Sequence, residues 1–219
     1  QDGRFEEARA AYLQAYTYYA TGRYPVPHTP GKMQCFRKSL ELYERAGRYF
    51  EPPLERIEIP YGDKTIPAYV RFRCDGAKHP VVINFGGIDG FKAEAFEYEE
   101  AMQGAGLTTC AVDMPGVGES PVKASTTADS LFSAVIDYLE KRSEVDSKRI
   151  GMVGRSFGGY WAAKMAFVEA KRLRASVVWG GGVHYFFQED WLRESTNAES
   201  YLMDHDIARS MVFGVSNID

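Results

Sequence analysis

The stretch Arg149-Ile150-Gly151-Met152-Val153-Gly154-Arg155-Ser156-Phe157-Gly158-Gly159-Tyr160-Trp161-Ala162-Ala163-Lys164-Met165-Ala166-Phe167 decides how this chain is read. A short, continuous apolar run from Ile150 to Val153 meets a G-x-S-x-G pattern, which opens an apolar helical segment. Gly154 and Gly158 flank the serine with the smallest residues, as a sharp strand-to-helix bend demands. The helix start then offers backbone N–H groups and a positive dipole end beside the Ser156 hydroxyl. A serine that merely caps the helix would satisfy the local pattern too. The strand before and the helix after favour an exposed nucleophile at Ser156 with the Phe157 amide as an oxyanion donor.

Outward from that stretch, short apolar runs alternate with helix-like segments. The runs are Val81–Phe85, Leu107–Val112, Arg149–Val153 and Ala175–Trp179, and the helices fall near 92–104, 126–141 and 157–170. Continuous rather than alternating runs predict strands buried on both faces of a mostly parallel sheet with flanking helices. Ahead of them, Glu55–Ile59 and Ile66–Phe72 read as strands joined by a hairpin turn at Tyr61-Gly62-Asp63-Lys64. Residues 1–50 read as a helical, aromatic-rich segment. One predicted face carries Phe5, Ala8, Tyr12, Ala15 and Tyr19; a second carries Met33, Phe36, Leu40, Tyr43 and Ala46, beyond a Pro-rich break at 25–31. Neither helix can bury its face alone, so both are expected to dock on residues 51–219 or to form a dimer face.

Composition excludes several classes. The 219 residues suit one large domain with an appendage, and 45% hydrophobic with 26% charged residues is ordinary for a globular chain. A net charge of −4 gives no electrostatic case for nucleic acid, and no apolar run is long enough to span a membrane. Cys35, Cys74 and Cys110 are odd in number and widely spaced, which argues against a disulfide framework or a metal knuckle. The cysteine usage and the absence of a leader pattern in the first residues give the expectation of a cytoplasmic setting. No His/Cys/Asp cluster has ligand spacing and nothing points to an organic cofactor, so neither metal nor cofactor is expected.

In a parallel sheet, ligands bind beyond the carboxyl ends of the strands. Three loops there stand out: the serine bend itself, Phe85-Gly86-Gly87-Ile88-Asp89-Gly90 and Asp113-Met114-Pro115-Gly116-Val117-Gly118-Glu119-Ser120. Acyl-transfer chemistry needs a second amide aimed at the oxyanion, and Gly87 or Ile88 is the candidate. Asp113 is expected to pin its loop by side-chain-to-backbone bonds rather than to act in catalysis.

In this order, the three loops resemble those of the α/β-hydrolase fold. Arg155 before the serine, the helical N-terminal segment and Val178-Trp179-Gly180-Gly181 narrow the resemblance. They are similar to the branch holding 2,6-dihydroxypseudooxynicotine hydrolase and the fungal polyketide-shortening pigment hydrolases; fermentation-respiration switch esterases are similar over the core. The resemblance implies hydrolysis of a carbon–carbon bond next to a ketone in a diketone- or polyketide-like small molecule. It also implies N-terminal helices that help enclose the substrate, and an additional acidic residue after the Trp-Gly-Gly strand, for which Glu189 and Asp190 both qualify. Ile88, Arg155, His184 and Glu189 are the candidate pocket residues.

A serine needs a base, and in this fold the order is Ser, then Asp or Glu, then His. Two histidines follow Ser156. His184 comes too early in the topology, and His205 is expected on a solvated helix face; His28 and His79 precede the serine and read as loop residues. The triad acid and base are therefore expected to lie on strands beyond this sequence. A carboxylesterase or peptidase is the second reading, and a non-catalytic binding protein on the same fold the third.

Overall fold

The computed structural model of the protein describes residues 2–184, 187–197 and 203–216. Helices α1 (Asp2–Gly22) and α2 (Pro30–Gly47) lead, packed against each other. Thr29 caps α2 by accepting from Lys32 N–H at 3.3 Å, and Pro30 stands at the first helical position, where its missing N–H costs nothing. Phe36, Leu40, Tyr43 and Ala46 of α2 are buried in the main core, as their spacing predicts. In α1 the expected stripe is rotated. Tyr12, Leu13 and Tyr16 pack on the core, whereas Phe5 and Tyr19 are exposed, because α1 lies over α2 rather than over the sheet.

Strands β1 (Glu55–Tyr61), β2 (Lys64–Arg71), β3 (His79–Phe85), β4 (Thr108–Val112), β5 (Val145–Arg155) and β6 (Leu173–Trp179) form one sheet in the order β1-β2-β4-β3-β5-β6. The β1–β2 hairpin turns at Gly62, whose φ of 61° suits glycine, and β2 joins β4 antiparallel. All remaining pairings are parallel. Helix α3 (Phe96–Gly104) connects β3 to β4, α4 (Ser130–Glu140) connects β4 to β5, and α5 (Phe157–Val168) connects β5 to β6. The chain leaves β3 toward β4 on one side and β5 toward β6 on the other, so the connections from these adjacent strands part in opposite directions beyond the loops that end them. That divergence opens a crevice at their carboxyl ends. Two further helices follow, α6 (Glu189–Asn197) and α7 (His205–Phe213).

β4 is buried at all five positions, as a central strand should be. β6 departs from expectation. It pairs with β5 along one edge, and among the described residues no strand covers the other; Val177 and Trp179 are each 52% exposed. Its apolar run marks a strand that wants two covered faces, but the run cannot say which neighbours supply them.

Beneath the sheet, Glu99 of α3 is fully buried and accepts from Asn84 Nδ2 of β3 at 2.9 Å. Burial pushes its carboxyl up to about 7, against the lowering by Asn84 and Arg71. The folded state therefore holds this proton more tightly than the unfolded chain does. The contribution is favourable below the unfolded value of about 4.3 and is lost as pH rises through the folded value, by about 3 kcal/mol. Glu99→Gln is expected to flatten that decline. Denaturant midpoints at about pH 5 and pH 8 check this, and an unchanged pH dependence in the variant would refute it.

Candidate active site

β5 ends at Arg155 and α5 begins at Phe157, leaving Ser156 alone in the bend at φ 56°, ψ −126°. A positive φ at a non-glycine residue costs about 1–3 kcal/mol and persists only where the surroundings enforce it. Here Ser156 N–H donates to the Trp179 carbonyl at 2.9 Å, and the Ser156 carbonyl accepts from Gly159 N–H at 2.8 Å. The side chain is exposed at the crevice.

The glycines around it are dictated by contact. A Cβ at Gly158 would overlap the Gly86 carbonyl oxygen, and one at Gly154 would come 2.6 Å from Phe85 Cε2. A Cβ at Gly87 would come 2.9 Å from Ser156 Oγ and 3.3 Å from Phe157 N. The Gly87 backbone thus lies against both the serine hydroxyl and the first amide of α5. The loops after β3 and β5, 69 residues apart at these two positions, meet at one point.

The two sides of that point differ in chemistry. Ile88 and Phe157 line an apolar cavity of about 120 Å³, partly open to solvent, together with Phe187, Leu192, His205, Arg209 and Phe213 from the α6–α7 region. This is somewhat smaller than an engineered cavity of about 150 Å³ that admits benzene, so it suits a short alkyl group or one small ring. Asp89, next to Ile88, and Arg155, next to Ser156, line a polar cavity of about 400 Å³ together with Tyr16, Arg23, Tyr24 and Glu94. The latter runs between α1 and the loop after β3.

His205 corrects an expectation. It is 6% exposed rather than solvated, and burial, with Arg209 nearby, lowers its pKa so that the imidazole is neutral at pH 7. Helical periodicity puts its ring on a polar face, but α7 folds back so that this face meets Ile88 and Phe157. His184 is exposed after β6, its carbonyl accepting from Phe187 N–H at 3.1 Å. Glu189 and Asp190 open α6 and are exposed, with Glu189 paired to Arg193 at 2.8 Å. Neither acid lines either cavity among the described residues. Arg155 extends over the polar cavity, 3.9 Å from Glu94. His28 lies between α1 and α2, and His79 opens β3 bonded to Asp75 at 2.8 Å.

Asp113 pins its loop. It accepts from Glu119 N–H at 2.9 Å, from Lys92 N–H at 2.8 Å and from Lys92 Nζ at 2.9 Å. Glu119 continues the network, accepting from Lys92 Nζ and twice from Arg56. Burial alone would raise the Glu119 carboxyl, but Arg56 and Lys92 hold it below its ordinary value. Lys92 and Arg23 lie in no motif, and Glu119, though inside the Asp113–Ser120 loop, shows no role there; single charges in a chain with 26% charged residues read as surface. Among the described residues no group of three or more His, Cys, Asp or Glu could hold a metal ion. No described helix is long and apolar enough to cross a membrane.

The parallel sheet, the serine bend and the Gly87 loop across from it are the architecture of an α/β-hydrolase. The chain belongs to the FrsA-like esterase family, whose model, "Esterase FrsA-like", matches residues 2–209. It is 37% identical over 146 residues to the 2,6-dihydropseudooxynicotine hydrolase of Paenarthrobacter nicotinovorans, covering 66% of this chain and 40% of that protein. It is 26% identical over 198 residues to Esterase FrsA of Photobacterium profundum, covering 88% and 47%. The crystal structure of the 2,6-dihydroxy-pseudo-oxynicotine hydrolase superposes with a TM-score of 0.71 at 29% identity, over 95% of this chain and 59% of that one. The chain thus spans less than half the length of these two curated relatives.

Proposed function

We propose that this chain carries the nucleophile and oxyanion hole of a serine-dependent hydrolase that cleaves a carbon–carbon bond next to a ketone in a diketone- or polyketide-like small molecule. The observation that carries the reading is Ser156 at positive φ with the Gly87 backbone against its Oγ. Ser156 Oγ attacks the carbonyl carbon, and the Phe157 and Gly87 amides receive the negative charge that develops on the carbonyl oxygen. Those donors are fixed before reaction, which is where their advantage over water lies. The acyl side enters the apolar cavity beside Ile88 and Phe157, whose size limits it to a short chain or single ring. The base that takes the serine proton is expected to follow in chain order, as in this fold generally.

The bond type rests on the likeness to the 2,6-dihydropseudooxynicotine hydrolase. Ester hydrolysis is the second reading, favoured by the likeness to Esterase FrsA and by an oxyanion hole that serves both reactions. A fluorophosphonate probe on the protein at its natural length is expected to label Ser156. Product analysis on a 1,3-diketone should then show an acid and a ketone. Labelling without diketone cleavage, together with alcohol release from simple esters, would replace the first reading by the second. No labelling at Ser156 would remove both.

A further inference from the structure

We propose that the turn Lys92–Glu94 is a two-sided ionic brace that holds the oxyanion loop in register with Ser156, making Lys92 and Glu94 positioning residues; this rests on the serine-hydrolase reading above. The loop Gly86–Gly90 has three glycines in five residues, so it has few side chains with which to fix itself. One internal bond, Gly90 N–H to the Gly87 carbonyl, is long at 3.4 Å. The position of the Gly87 amide must therefore be set by the structure to which the loop is attached.

Directly after the loop comes a single 3₁₀ turn whose two charged residues anchor in opposite directions. Lys92 points inward and is 0% exposed. Its N–H and Nζ both reach Asp113, and its Nζ also reaches Glu119, which Arg56 ties to Glu44 of α2. Glu94 points toward the polar cavity and bridges two guanidiniums. One carboxylate oxygen pairs with buried Arg23; the other lies 3.9 Å from Arg155, the residue before the serine. Arg23 in turn donates to the Asp89 carbonyl inside the loop at 2.8 Å, and its guanidinium stacks 3.8 Å over the Phe91 ring.

The turn thus ties the loop to the serine bend and Arg23 through Glu94, and to the Asp113 loop and α2 through Lys92. Apolar side chains would fill this space at less desolvation cost, so the charges are better explained by the orientation they impose than by stability. Fixed direction is what an oxyanion donor needs, because an amide displaced by about 1 Å loses most of its effect on the transition state. The N-terminal segment accordingly acts on the loop through Arg23, just after α1, and Glu44 of α2.

The test is kinetics of Glu94→Gln and Lys92→Met on 4-nitrophenyl butyrate at the protein's natural length, with sites counted by fluorophosphonate titration. Amide hydrogen exchange of residues 86–91 is measured in parallel. Glu94 is partly exposed, so its variant keeps the fold and a hydrogen-bonding group while losing the charge. We expect kcat per titrated site to fall about tenfold or more in each variant, KM to stay within about twofold, and exchange of 86–91 to quicken. A merely structural role would reduce the number of titratable sites and leave kcat per site unchanged. Unchanged kcat per site with unchanged exchange overturns the brace. If wild type takes no label, the hydrolase reading fails by itself, and the exchange data alone decide whether the loop is braced.

Discussion

Ser156→Ala, in the protein at its natural length, is expected to lower kcat on 4-nitrophenyl butyrate by about four to six orders of magnitude while leaving KM nearly unchanged. The asymmetry follows from geometry. Alanine keeps the backbone in the bend, where the Trp179 carbonyl and Gly159 amide hold residue 156, so both cavities and the Phe157 amide stay in place. Ground-state binding survives, but no oxygen remains to form the covalent intermediate. Residual catalysis over water of about 10³-fold would come from the oxyanion amides alone. Retention of more than about a tenth of wild-type kcat would show that Ser156 is not the nucleophile.

Asp113→Ala should produce a larger loss of stability than any of the other substitutions, about 3–5 kcal/mol. The carboxylate is buried and accepts three hydrogen bonds, two of them from backbone amides on different loops. Removing it leaves Lys92 Nζ fully buried with Glu119 as its one remaining carboxylate and strands the amides of Lys92 and Glu119. For a chain of this size that loss corresponds to a fall in the thermal midpoint of roughly 6–20 °C. Calorimetric or fluorescence melts check it. A midpoint within about 2 °C of wild type would mean that water reaches the site and the network carries little.

The contrast between these two residues marks what the amino-acid order reveals. Ser156 is legible because its chemistry demands a local pattern: small neighbours, a strand before, a helix after. The sheet is legible for the same reason, since Val81–Phe85 and Leu107–Val112 announce double-sided burial within a few residues. Lys92, Arg23 and Glu119 are not, because each becomes meaningful only when segments distant in the chain are brought together. His205 shows the opposite failure. Its helical spacing is plain in the sequence, but which side of α7 meets protein depends on where the helix lands, and periodicity carries no information about that. Strand β6 is recognisable as a strand but not as the last one of the sheet described, since an apolar run reports a preference for cover and not its source.

The outer margin of β6, which no strand covers among the described residues, has a consequence for handling this polypeptide. Amide and carbonyl groups along that margin, with Val177 and Trp179 standing beside them, form a template to which any extended segment could add. Chains whose β6 margin stays uncovered would meet margin to margin at the concentrations used in purification, giving ribbons or precipitate rather than discrete particles. A lysine introduced at Val177 would place an unburied charge on each approaching margin and should keep the preparation clear.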